Sequence, residues 1–166
     1  MPHTQPSRAP QPMRDFSRSL PMALLRARES VMVRFRPMLR AHGLTEQQWR
    51  VLRAMASAGH KLRPMDLSQA TYISMPSLSR LLKTLEGRQL IERSRHASDL
   101  RGAEFELTAA CHAIVAEIAP HSVRVYDEIE QLVGHAEIEQ LYALLDRVVQ
   151  RLGVADSSDT EDEPVA

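Results

Sequence analysis

Between Ser74 and Leu107 the spacing of apolar residues switches once from a helical period to an alternating one, which constrains the fold more than any other feature. Met75, Leu78, Leu81, Leu82 and Leu85 make one stripe on a helix that runs from Met75 to about Arg88, because residues three and four apart share a face. Ser74 stands where an N-cap belongs, and Pro76 falls in the first turn, where a missing N–H costs little. Past Gly87, Leu90–Arg95 and Ala103–Leu107 alternate as strands around a polar turn, His96–Gly102. That pattern predicts a β-hairpin. Aromatic residues at 4% and 6 glycines argue against a large sandwich or barrel, while Leu, Ala, Arg, Glu and Gln favour helix. The fold class is mainly α, with one small hairpin.

The rest of the chain reads as helices. Leu20–Ala41 is the first, with Leu24, Leu25, Val31, Phe35, Met38 and Leu39 as its apolar set, and Pro37 is expected to kink it or start a new turn. His42-Gly43 is a stop signal, and Thr45 with Gln48 makes a capping box for a helix over Thr45–Ala56 that buries Trp49, Leu52 and Met55. Pro64 precedes a short helix, roughly Met65–Thr71, and Tyr72-Ile73 connects it to the helix beginning at Ser74. Thr108 caps a long helical stretch towards Val133 that Pro120 should interrupt. The last helix, His135–Leu152, carries a wide stripe of Ile138, Leu141, Leu144, Leu145, Val148, Val149 and Leu152, which suggests burial against a partner helix. Residues 1–17, with Pro2, Pro6, Pro10 and Pro12, read as a disordered lead-in, and residues 153–166 as a disordered acidic tail.

The formal net charge is zero, but its distribution matters more than its sum. Asp156, Asp159, Glu161, Asp162 and Glu163 sit in the tail, and without these five the chain holds 21 basic against 16 acidic residues. From His60 to Gly102, Lys61, Arg63, Arg80, Lys83, Arg88, Arg93, Arg95 and Arg101 face only Asp66, Glu86, Glu92 and Asp99. No apolar run approaches the ~20 residues of a membrane-spanning helix, and the N-terminus has no signal-peptide core. Cys111 is the single cysteine, so no internal disulfide exists and a cytoplasmic location is expected. Cys111 reads as a small buried hydrophobe rather than a redox switch. No metal site, cofactor motif or catalytic constellation is found, which points away from an enzyme.

What remains is an order of parts: short helix, two-residue turn, serine-rich helix, hairpin with a basic tip. The helix face opposite the leucines presents Ser77, Ser79, Arg80, Lys83 and Thr84, with Ser74 at its start. Small hydroxyls reach phosphates or base edges without bulk, and an arginine bridges two acceptors of a guanine or clamps a phosphate. In the hairpin, Arg93, Arg95 and Arg101 surround the turn, where an arginine can enter the minor groove. Asp99, two residues before Arg101, is placed to orient its guanidinium. A solvated helix face, or a surface ion pair, explains either feature alone. Together they point to double-stranded DNA. The rival is a helical protein–protein adaptor without DNA binding, built on the wide apolar helices.

The segment from Leu67 to Thr108 resembles the winged helix-turn-helix of the MarR family. Asp99-Leu100-Arg101 followed by Leu107-Thr108 matches the signature of the wing, and Met75-Pro76-Ser77-Leu78-Ser79-Arg80 matches the start of the recognition helix. The resemblance covers residues 18–152, with 18–42 and 109–152 as dimerisation helices and 45–108 as the winged helix-turn-helix. Within the family, Leu24–Glu29, Phe35-Arg36-Pro37 and Leu44–Arg50 look most like repressors of homoprotocatechuate (hydroxyphenylacetate) degradation operons. Gly102 departs from the pattern, since many members carry a second arginine there, and Pro120 departs from a usually continuous helix. The resemblance implies a homodimer on a pseudo-palindromic operator with half-sites ~10 bp apart, repressing an aromatic-compound catabolic operon. It also implies release by a small aromatic or N-heteroaromatic acid: a hydroxyphenylacetate, a hydroxybenzoate or a hydroxynicotinate. Such a ligand needs an aromatic wall and a cation, for which Trp49, Arg50 and Arg53, with Arg28 and Arg36, are the candidates, though plain core packing competes for Trp49.

Overall fold

The computed structural model describes residues 15–95 and 102–153. The elements run α1 (Leu20–Ala41), α2 (Glu46–Ala58), α3 (Pro64–Thr71), α4 (Met75–Gly87), β1 (Ile91–Arg95), β2 (Ala103–Leu107), α5 (Ala109–Val133) and α6 (His135–Leu152). A short 3-10 turn, Phe16–Arg18, precedes them. The described residues form two compact units, one ending at Arg34 and the other starting at Phe35.

In the first unit Asp15 caps the 3-10 turn, its Oδ1 accepting from the Ser17 amide at 2.7 Å. The hydrogen bonds from Ser17 hold the Asp15 carboxyl below the usual carboxylate range. Arg26 donates to the Ser17 carbonyl at 2.6 Å. Leu20, Leu24, Leu25, Val31 and Val33 are all exposed.

The second unit holds the core. Leu39, Val51, Leu52, Leu67, Leu78, Leu85, Ile91 and Ile118 are fully buried, so the stripes read on α2 and α4 do pack inward. Met75, counted in the α4 stripe, is instead exposed and Leu81 half-buried. At the start of α2 the capping box forms: Thr45 Oγ1 accepts from the Gln48 amide at 3.2 Å, and Gln48 Oε1 accepts from the Thr45 amide at 3.0 Å. The helix runs two residues beyond Ala56 and ends at Gly59, whose φ of +66° suits a left-handed C-cap.

The interruption expected at Pro120 needs correction, while Pro37 lies inside one helix, Leu20–Ala41, as read. Helix α1 passes through Pro37, and α5 passes through Pro120 as one 25-residue element. Each proline is exposed, so the carbonyl four residues back that loses its amide partner lies on a wet face. The intact turns on either side carry the helix past it.

The hairpin is antiparallel, pairing Ile91 with Leu107, Arg93 with Phe105 and Arg95 with Ala103. A third strand position joins it. Leu62 donates to the Phe105 carbonyl at 3.0 Å and accepts from the Phe105 amide at 2.9 Å, which ties the α2–α3 connection to the hairpin. Residues 96–101 of the predicted turn lie outside the described residues. Of the α6 stripe only Ile138 is buried, Leu145 and Val148 are half-buried, and Leu141, Leu144, Val149 and Leu152 are exposed.

Candidate nucleic-acid interface

Helix α4 is fixed at both ends before any functional side chain is considered. At its entry, Tyr72 adopts a left-handed conformation (φ +52°) that ends α3 and turns the chain into α4. Arg50 of α2 donates from Nη1 to the Thr71 carbonyl at 3.1 Å, and Ser68 Oγ donates to the Ile73 carbonyl at 2.7 Å. At its exit, Gln89 is also left-handed (φ +57°), and the Leu90 amide closes back on the Leu85 carbonyl at 3.0 Å. Arg88 reaches from this end to the Gly43 carbonyl at 2.9 Å and to Gln48 Oε1 at 3.4 Å. A recognition helix held this way presents its outer face with little freedom to tilt.

That face carries the residues the sequence singled out. Ser74, Ser79, Arg80 and Lys83 are exposed and Ser77 is half-buried. Ser74 occupies the N-cap position without the expected side-chain cap. Its Oγ donates to Ser77 Oγ at 3.2 Å rather than accepting from a helix amide, so first-turn amides of α4 keep their donors for an outside acceptor. Among the described residues neither Arg80 nor Lys83 has an ion-pair partner. Thr84 is already committed, its hydroxyl donating to the Arg80 carbonyl at 3.0 Å.

The alternation of the hairpin gives it two electrostatic faces. Ile91, Arg93 and Arg95 project to one side with Ala103 and Phe105, while Glu92, Ser94, Glu104 and Glu106 project to the other. On the first side, Arg93 joins Ser79, Lys83, Leu82 and Phe105 around a groove of about 400 Å³ between α4 and the strands. On the second, Lys61 pairs with Glu106 at 2.8 Å and donates to Ser94 Oγ at 3.1 Å, bracing both strands. The Glu106 carboxylate holds the Lys61 ammonium pKa above its ordinary value. The sequence reading missed this brace, because Lys61 was one charge in a count and nothing local marks its partners. Arg95 stands at the outer end of β1; Asp99 and Arg101 lie outside the described residues.

The profile of the MarR family matches residues 42–102. The HTH-type transcriptional regulator FarR of Neisseria gonorrhoeae is 35% identical over 127 residues, 76% of this chain and 86% of that protein. The homoprotocatechuate degradative operon repressor of Escherichia coli is 34% identical over 131 residues, 79% of this chain and 88% of that one. This chain belongs to the MarR family. It is a transcriptional regulator and not an enzyme. Among solved structures of the same fold, NadR in complex with 4-hydroxyphenylacetate matches at 32% identity and a TM-score of 0.72, covering 81% of this chain and 97% of that one. The transcriptional repressor CouR bound to a 23-mer DNA duplex matches at 27% identity and a TM-score of 0.73, covering 85% and 99%.

In this MarR-family chain the five residues named for an effector have separate circumstances, and Arg53 is simply exposed. Arg28, in the first unit, pairs with Glu29 at 2.7 Å. Arg36 donates from Nε to Glu46 at 2.6 Å, and the two flank a shallow cavity of about 310 Å³ with Leu39, Arg40, Leu44 and Thr45. Trp49 is buried and Arg50 is committed to the Thr71 carbonyl; neither lines that cavity. Cys111 is fully buried, and that burial pushes its thiol pKa up. No helix among the described residues is long and apolar enough to cross a membrane.

Proposed function

We propose that this MarR-family regulator is a homodimeric, cytoplasmic repressor of an operon for aromatic-compound breakdown, bound to a pseudo-palindromic operator and released by a small aromatic acid. The observation that carries the DNA reading is α4 clamped at both ends, with Arg80 and Lys83 exposed on its outer face and without ion-pair partners among the described residues. Ser74, Ser77, Ser79, Arg80 and Lys83 serve the major groove, Arg95 and Arg101 the wing, and Asp99 orients Arg101. The CouR complex with DNA is consistent with the same use of the fold. Homodimerisation is supported by the exposed apolar residues of α1 in the first unit and of α5 and α6 in the second. The effector class is supported by the names of the homoprotocatechuate repressor and of the NadR complex. The effector part of the reading takes Arg28, Arg36, Trp49 and Arg50 as its candidate residues.

The test is binding to duplexes enriched by the protein from a randomised library, as a function of salt. A steep log–log slope is expected, and Lys83→Ala should reduce it by about 1 while weakening binding to all duplexes alike. A flat slope belongs to the adaptor and overturns the DNA reading. Adding 4-hydroxyphenylacetate, a hydroxybenzoate or 6-hydroxynicotinate tests the effector through thermal stability, which a ligand of the folded state raises. Release that survives in both Arg28→Ala and Arg36→Ala refutes their assignment.

A further inference from the structure

The turn into α4 exposes a tyrosine that the core does not use. Tyr72 sits in the left-handed region, which bulky residues with a Cβ avoid and which glycine or asparagine would occupy without strain. The residue is 70% exposed, so burial does not offset the strain. Thr71 and Ile73 on either side are buried, and Arg50 and Ser68 bind their carbonyls, so the conformation is imposed from several directions at once. A backbone outlier that surroundings over-determine, at an exposed position beside a binding face, marks a side chain kept for a contact. Tyr72 lies two residues ahead of Ser74, the N-cap of α4. When the N-terminal end of a recognition helix enters the major groove, the turn that leads into it passes beside the sugar–phosphate backbone. A phenol suits that place, with an apolar ring for a deoxyribose and a hydroxyl donor for a phosphate.

We propose that Tyr72 is a DNA-contacting residue, seated on the sugar–phosphate backbone at the edge of the groove that α4 reads, and that Arg50 is the positioning residue that sets it there. This rests on the DNA-reading role of α4. The contact is to the backbone, so it adds affinity and register rather than base preference.

The test uses the full chain, a duplex that the native protein has enriched from a randomised library, and a scrambled duplex of equal length. Tyr72→Phe removes only the hydroxyl and should weaken binding to the enriched duplex about tenfold or more per half-site, as expected for one hydrogen bond to a charged phosphate. Tyr72→Gly relieves the backbone, so its Tm should rise by a few degrees while its affinity falls at least as far as that of Tyr72→Phe. A turn residue with no DNA contact would show the opposite, with binding equal to native in both variants, and that result overturns the proposal. Loss in Tyr72→Gly alone overturns the phosphate bond. Arg50→Met should weaken binding to both duplexes, and should add little further loss in a Tyr72→Phe background, because it acts through the same contact; losses that simply add in the double variant refute the positioning role. A native protein that enriches no duplex sinks the reading of α4 itself, a failure distinct from all of these.

Discussion

Gln89→Gly should make this protein more stable, although glycine is ordinarily a destabilising choice. Gln89 follows the C-terminus of α4 with a φ of +57°, where a Cβ crowds the following carbonyl and costs about 1–2 kcal/mol. Glycine removes that cost but frees the unfolded chain, which returns about 0.4–1 kcal/mol. The net gain is about 0.5–1 kcal/mol, or roughly 1–4 °C in Tm for a chain of this length. The substitution removes nothing else. The Gln89 side chain is exposed. Glycine keeps the amide bond to the Glu86 carbonyl at 2.8 Å, the Leu90–Leu85 closure at 3.0 Å and the acceptor for Thr108 Oγ1 at 2.8 Å. Urea unfolding at fixed protein concentration checks it: the midpoint should rise with an unchanged m-value. Gln89→Val, β-branched in the same conformation, should move the midpoint the other way. A glycine variant no more stable than native, or a valine variant equal to it, would refute the strain argument.

Arg88→Met should cost about 1 kcal/mol, the worth of its bonds to the Gly43 carbonyl and Gln48 discounted for exposure; an unchanged urea midpoint would show that the latch carries no weight. His135 donates to Glu130 at 2.9 Å, and that carboxylate raises the imidazole pKa above the ordinary 6.5. The pair therefore stabilises the fold fully below about pH 6.5 and loses its effect as pH rises through the folded pKa. NMR titration should find His135 above its ordinary value and Glu130→Gln should bring it back, whereas identical curves would refute the pairing. Cys111 should resist an aromatic disulfide reagent in the native state and react at once in urea, because burial keeps it a thiol. Immediate reaction in the native state would contradict its place in the core.

What the chain revealed without coordinates was everything set by near neighbours. The period of Leu78, Leu82 and Leu85 marked the buried face of α4, the alternation after Leu90 marked the hairpin, and Thr45 with Gln48 marked a capping box that forms as read. The outward-facing side of α4, with Ser79, Arg80 and Lys83, followed from the same period. The expected interruption at Pro120 did not appear, because whether a proline interrupts a helix depends on what the neighbouring turns and the solvent supply.

Tertiary structure decided which side chains are free to act. Arg50 and Arg80 are alike in the sequence, yet one is committed to a carbonyl 21 residues away and the other has no ion-pair partner among the described residues. Arg88 is drawn to a carbonyl 45 residues distant, and Lys61 to a hydroxyl 33 residues distant. Leu62 becomes a strand only because Phe105 is there to pair with it. Local pattern sets which faces are apolar, since that depends on residues one turn apart. The assignment of each arginine to scaffold or to site depends on chain folding back across those separations, and no local pattern records it.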